Sequence, residues 1–370
     1  MKYVYLDNAA SSPPARHLLD EYSRLLLRYY GNSESVHAAG KESKELQDES
    51  ARLLARTITG NEKNAFVQWT CSGTESANTA LSLPRFKKGV IVTTQAEHPS
   101  ILAAAGRTGA EIRFAAISSD GGIDMESLAG LLDSSVNLVA LHHVQSETGR
   151  LQDIKAVSQI IREKAPRAVF LLDTIQSLCK IPVSVGGDGP GIILLSGYKI
   201  GSPAGGAVIC APAFADEFRK LRSEAHLVPR VPAAMTAILA RQVEELYEEK
   251  DAILARVSGI AAQLRNSLET LDFECTPTVP VEKASPFIVH ARFPGHEGAV
   301  LARMLSARGV IVSAGSACSA ESGGPSRALT AMGLSEKDAY SALRISLWTQ
   351  NTQPDIDQFI TALKESLKDY

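Results

Sequence analysis

No run of apolar residues in this chain reaches the ~18 that a membrane-spanning helix needs. The amino-terminal stretch MKYVYLDNAASSPP contains no signal-peptide core. Charge is nearly balanced, with a formal net of −3, so nothing argues for nucleic acid or an anionic membrane as partner. Cysteine is scarce and odd in number: five, at 71, 179, 210, 275 and 318, with no CxxC pair and no zinc-ligand spacing. That distribution points to a reducing, cytoplasmic setting, with at most one cysteine of chemical interest and no metal site. Repeats and low-complexity segments are absent too. What remains is 370 residues, 45% hydrophobic and 21% charged, which suits a soluble protein of two or three domains with a sizeable core.

Hydrophobic periodicity supplies the architecture. A short strand is expected at Tyr3 to Leu6, followed by a turn-rich tail to Pro14. Helices follow at Leu18 to Tyr30 and Lys41 to Gly60, around a loop GNSESVHAAG at 31–40. Strands at 65–70, 90–94, 111–116, 136–142, 168–172, 192–195 and 206–210 then alternate with helices at 74–83, 99–106, 125–132 and 154–164. Seven strands joined mostly by helices imply a doubly wound, mostly parallel α/β sheet, with any ligand at the carboxyl ends of the strands. Pro232 to Leu271 reads as one long helix. Strands at 287–291, 310–313 and 343–347, with helices at 298–308 and 354–367, build a smaller α+β domain. The expected division is a large domain of residues 15–245 and a small one of 1–14 plus 246–370.

The chemistry concentrates in residues 168–200. One apolar run ends in Asp173, with Gln176 beyond it, and the next ends in Ser196-Gly197-Tyr198-Lys199. Charged groups at the ends of buried strands are costly without partners. A pyridoxal phosphate ring would supply both, its aldehyde to the lysine as a Schiff base and its pyridine nitrogen to the aspartate. An ordinary strand-end aspartate and a surface lysine remain the plain alternative.

Other motifs also carry two readings. CSGTESAN at 71–78 is either a phosphate cradle at a helix start, with Thr74 adding a hydroxyl, or a simple helix cap. His98 in QAEHPS either stacks on a flat cofactor or caps a helix. The neighbouring His142 and His143 point to opposite faces of a strand and do not suggest a metal. Arg344 in SALRISL either takes a substrate carboxylate in a bidentate pair or closes an internal ion pair. Cys318 stands in the small-residue loop SAGSACSAESGGPSR, where a cysteine is exposed, reactive or incidental rather than packing.

In this order, YLDNAASSP, GNSESVH, SGTESAN, AEH, LLDTIQS, SGYK, GSACSAESGGPS and LRISL resemble the NifS/IscS-type cysteine desulfurases. These belong to the class V aminotransferase branch of the fold-type I pyridoxal phosphate enzymes. The resemblance runs almost end to end and implies a homodimer that takes sulfur from L-cysteine. It leaves alanine and a persulfide for an acceptor or scaffold protein, as in iron–sulfur cluster biogenesis. It also implies Lys199 as the cofactor-bonded lysine, Asp173 at the pyridine nitrogen, and His98 as the stacking and catalytic histidine. Gln176 would reach the phenolic oxygen, and Gly73, Thr74 and Ser196 would hold the phosphate. Tyr198 joins the cofactor set, Asn8, Ser146 and Arg344 bind substrate, and Cys318 is the nucleophile.

The chain departs from the family pattern in three places. Tyr198 stands for the usual histidine, and Ser146 for the usual asparagine. SEAHLVPRVPAAMT at 223–236 replaces a Gly-rich segment and the Arg-x-Gly-Thr whose threonine reaches the partner subunit's phosphate. Arg230 is a candidate replacement for that contact. These departures keep open a different class V activity, such as selenocysteine lyase or another β-elimination, or a paralogue that binds cofactor with little or no desulfurase activity.

Overall fold

A computed structural model describes residues 3–225, 230–315 and 325–370. Cys318 and the centre of its predicted loop lie outside the described residues. The large sheet has seven strands: β2 (Phe66–Thr70), β3 (Val90–Thr94), β4 (Glu111–Ala115), β5 (Val136–His142), β6 (Val169–Asp173), β7 (Ile192–Ser196) and β8 (Gly206–Cys210). Their spatial order is β2-β8-β7-β6-β5-β3-β4, and only β8 runs against its neighbours. Helices α3 (Gly73–Leu81), α4 (Pro99–Arg107), α5 (Met125–Leu131) and α6 (Ile154–Lys164) connect the strands, preceded by α1 (Arg16–Arg28) and α2 (Ala38–Thr59). The expected doubly wound α/β sheet is therefore present.

The central strands are apolar without alternation because both of their faces are covered. Along each central strand, from Leu138 onward in β5, alternate positions face opposite sides. Val139, Leu141, Phe170, Leu172, Ile193 and Leu195 join one core, while Leu138, Ala140, Leu171, Ile192 and Leu194 join the other. The second core is closed by α3, α4 and α7 (Ala215–Ala225), the last through Phe218 and Leu221. No helix was expected at α7, whose charged sequence shows little apolar face.

The stretch expected as one helix from 232 to 271 is two, α8 (Ala233–Glu248) and α9 (Lys250–Glu269). The break falls at Glu249, where φ −99 and ψ 1 leave the helical range without a Gly or Pro. The cause is tertiary: α8 lies along α2 and α1, whereas α9 packs on the C-terminal helix Gln353–Lys368. Two smaller sheets complete the chain. In one, β1 (Val4–Tyr5) pairs parallel with β11 (Val310–Ile311). In the other, β10 (Ile288–Arg292) lies between β9 (Thr276–Pro277) and β12 (Ala342–Ser346), with His290 opposite Arg344. The two-residue β9 is too short to show periodicity, and α10 (Gly298–Ala307) packs behind.

One backbone position is strained. Cys179 is the sole described non-glycine residue with positive φ, at 65°, and it is buried. The left-handed region costs an L-residue about 1–2 kcal/mol. Glycine relieves that cost but gives back part of it in the unfolded chain. We therefore expect Cys179→Gly to be more stable than Cys179→Ala by about 1 kcal/mol in urea unfolding. Equal midpoints would mean that the turn carries no strain.

Candidate active site

Because β2, β3, β5, β6 and β7 run parallel, their carboxyl ends meet at one edge of the sheet. A cavity of about 300 Å³ opens there, at the lower end of the range of roughly 300–1,000 Å³ typical of ligand sites. Gly73, Thr74, His98, Ser146, Asp173, Gln176, Ser196, Tyr198, Lys199 and Arg344 all line it. Every described site residue expected from sequence, Asn8 excepted, is thus at one place. A wider groove of about 650 Å³ between α3, α4 and α7 is lined by none of them.

Asp173 ends β6, and its Oδ1 accepts from the Ile175 N–H at 3.0 Å. Burial raises its pKa from the ordinary 3.8 to about 6, with Glu97 adding to the rise; the Ile175 hydrogen bond, His142 and Lys199 oppose it. A carboxyl in that position is ionised comfortably only beside a cation. In register with Asp173 on β5 is His142. Its Nδ1 is 2.8 Å from Glu97 Oε1 and its Nε2 is 3.0 Å from Gln152 Nε2.

His98 is both a helix cap and a wall of the cavity. Its Nδ1 accepts from the Ser100 N–H at 3.2 Å, capping α4, while the ring lines the cavity. Burial and then Lys199 hold its pKa down, at about 4. The imidazole is therefore neutral at pH 7, with its proton on Nε2. Lys199 follows β7 in a short 3-10 turn, Gly197–Lys199, and its Nζ donates to the Ala10 carbonyl. The segment 9–12 folds over the same edge: Ser12 N–H donates to the Tyr198 carbonyl at 2.7 Å, and Gln176 Nε2 donates to the Ala9 carbonyl at 2.9 Å.

At the other end of the cavity, Ser72 caps α3 by accepting from the Glu75 N–H at 3.2 Å. The N–H groups of Gly73 and Thr74 have no partner among the described residues, as the first turn of a helix requires. A Cβ on Gly73 would lie 2.7 Å from Ile175 Cδ1 and 3.0 Å from Ser196 Cβ. Glycine alone lets this turn press against the ends of β6 and β7, and the open donors then face the cavity. The helix-cap reading of CSGTESAN holds, and the capped turn leaves N–H donors where an anion would sit.

Arg344 is buried on β12. Its Nη2 donates to Asp7 Oδ1 at 2.8 Å and its Nη1 to the Ser146 carbonyl at 3.0 Å, leaving Nε without a partner among the described residues. The internal ion pair and the cavity position coexist. Asp7 was not singled out from sequence, nor was Glu97, because carboxylates buried by long-range packing leave no local pattern. Asn8 is a correction. Its Nδ2 donates to the Ser346 carbonyl at 2.8 Å and to Asn351 Oδ1 at 3.1 Å, and its Oδ1 accepts from Gln350 at 2.8 Å. With its amide so used and away from the cavity lining, Asn8 is a strut joining the N-terminal segment to the small sheet, not a substrate ligand. Arg230 is likewise outside the cavity, with Nη2 3.5 Å from Glu34 Oε2.

The donor set fits pyridoxal phosphate: open helix-start N–H groups for phosphate, a raised carboxyl for a protonated ring nitrogen, a neutral flat imidazole, and a lysine within the same walls. Fold and site together define a fold-type I pyridoxal phosphate enzyme. Residues 4–243 and 232–359 match the aminotransferase class-V family. The chain belongs to that family. Among its relatives, the mitochondrial cysteine desulfurase of Arthroderma benhamiae is 30% identical, over 98% of this chain and 74% of that one. A cysteine desulfurase of Nostoc sp. is 27% identical over 99% of this chain and 93% of that one. The structure of a NifS-like protein from Rickettsia africae covers 99% of each chain with a TM-score of 0.86 at 23% identity, a likeness that speaks for the fold.

Proposed function

We propose that this protein is a pyridoxal-phosphate-dependent cysteine desulfurase that converts L-cysteine to L-alanine and retains the sulfur on Cys318 as a persulfide. The observation that carries this reading is the convergence of Lys199, Asp173, His98 and Arg344 on one cavity at the carboxyl edge of the sheet. When bound, pyridoxal phosphate supplies an electron sink for bonds broken at the substrate's Cα and Cβ. Asp173 would hold a proton on the ring nitrogen, His98 would offer a neutral plane to the ring, and Gln176 would donate to the ring oxygen. Gly73, Thr74 and Ser196 would hold the phosphate. Lys199 Nζ moves the proton at the substrate Cα. Cys318 thiolate attacks the substrate sulfur, the Cβ–S bond breaks, and Cβ takes a proton to give alanine, with no external oxidant or reductant. Assay of alanine and sulfide from L-cysteine tests the activity. Pyruvate in place of alanine, or turnover of selenocysteine alone, would assign another class V reaction.

Arg344 anchors the substrate carboxylate in this reading, its guanidinium held by Asp7 and the Ser146 carbonyl. Lysine cannot make both bonds of a planar fork, so Arg344→Lys should raise KM for cysteine ~10-fold or more while cofactor still binds. An unchanged KM, or lost cofactor, would give Arg344 another role.

A homodimer accounts for the exposed apolar side chains of α1 and the loop after it. Leu27 is 79% exposed, Tyr30 79% and Val36 88%, a surface that calls for a partner. Light scattering should give twice the chain mass at micromolar concentration, and a monomer would contradict this. The free thiols at 71, 179, 210 and 275 suit a reducing cytoplasm, and a sulfur-acceptor protein completes the transfer.

A further inference from the structure

We infer that Lys180 is a positioning residue for the cofactor site, acting through Gln176. Lys180 is buried, 4% exposed, and does not line the cavity. Its Nζ donates to Gln176 Oε1 at 3.3 Å and lies over the rings of Trp348 at 5.1 Å and Phe287 at 5.9 Å. No carboxylate is within ion-pair reach of it among the described residues, and the charged groups that act on it, Lys199 and Arg344, are also cations. Such a placement is costly, and the two ring faces and the Gln176 amide offset it without the anion that a buried ammonium ordinarily pairs with. Burial accordingly pulls its pKa down, to about 7. The strained turn at Cys179 immediately precedes it, and strain of this kind collects where a side chain must be aimed.

The consequence lies in the Gln176 amide. Lys180 fixes Oε1 and the Ala9 carbonyl takes one Nε2 hydrogen, so the carboxamide cannot flip. Its remaining N–H is a donor to the cavity. Resting on the cofactor reading above, that donor faces the negatively charged ring oxygen and lowers its hold on the neighbouring proton. Without Lys180 the amide is held by the Ala9 carbonyl alone, and its donor is aimed less firmly.

The test is the pH titration of the yellow chromophore formed with Lys199 in the purified holoenzyme. Failure to form any chromophore would defeat the cofactor reading itself, which separates the two claims. Lys180→Met should raise the titration midpoint by about 0.5–1 pH unit. Lys180→Arg, which keeps a cationic donor, should stay near wild type. In a Gln176→Ala background, Lys180→Met should add almost nothing. An unchanged midpoint, or the same shift with and without Gln176, would overturn the inference. Lys180→Leu replaces the methionine variant should that one fail to fold. Loss of fold in both would show a structural role and overturn it as well.

Discussion

Asp173→Asn is expected to slow alanine formation by about 10³-fold or more, equivalent to several kcal/mol of barrier. Asparagine keeps the shape of the side chain and the acceptor for the Ile175 N–H, so the fold persists. It removes the one carboxylate that lines the cavity among the described residues and can hold a proton on the ring nitrogen. An ion pair in a buried pocket retains that proton at neutral pH, and a neutral amide does not. The same substitution has an opposite effect on the cofactor-free protein. There the folded-state pKa is raised to about 6, so the fold prefers the protonated acid. Stability is lost as pH climbs through the window from about 4 to about 6, by up to about 3 kcal/mol. Cofactor-free Asp173→Asn should therefore melt higher than wild type at pH 8 and equally at pH 4. A variant within tenfold of wild-type activity, or one without this pH-dependent gain, would contradict the assignment.

Cys318→Ser should abolish sulfur transfer while leaving cofactor binding intact. Displacement at the substrate sulfur needs a thiolate, and a serine hydroxyl neither ionises at neutral pH nor attacks sulfur usefully. The described cysteines offer no substitute. Burial pushes the thiol of Cys210 up to about 12 and that of Cys275 to about 11. Burial also raises Cys179, and burial with the neighbouring Glu75 raises Cys71. All four stay protonated at neutral pH. Alanine formation by the serine variant should fall at least 10³-fold, while its visible spectrum before addition of cysteine remains that of wild type. Full sulfide release by this variant would rule out the proposed nucleophile.

Most of the large sheet was legible because buried parallel strands are short apolar runs between breakers, and β3, β5 and β8 fall where periodicity places them. Boundaries set by distant packing were not legible. The break at Glu249 has no local breaker, and α7 lacks the apolar stripe that would announce it. The same division holds for the site. Asp173, Lys199 and Ser196 stand at the ends of recognisable strands, so order along the chain already brings them together. Asp7, Glu97 and Lys180 depend on contacts across 337, 45 and 4 residues, with Arg344, His142 and Gln176 in turn. Even the nearest of these pairs has only a routine four-residue spacing to mark it. Asn8 failed as a substrate ligand for the converse reason. It stands in the YLDNAASSP motif, but its amide is spent on Ser346, Asn351 and Gln350.

The most direct test of the central claim is a brief pulse of L-cysteine given to the holoenzyme without reductant, followed by alanine quantification and peptide mass spectrometry. A desulfurase working as proposed yields alanine together with one extra sulfur on the peptide that carries Cys318, and neither in the Lys199→Ala variant. Extra sulfur only on the peptides of Cys71, Cys179, Cys210 or Cys275, or sulfide released with pyruvate and no alanine, would contradict it.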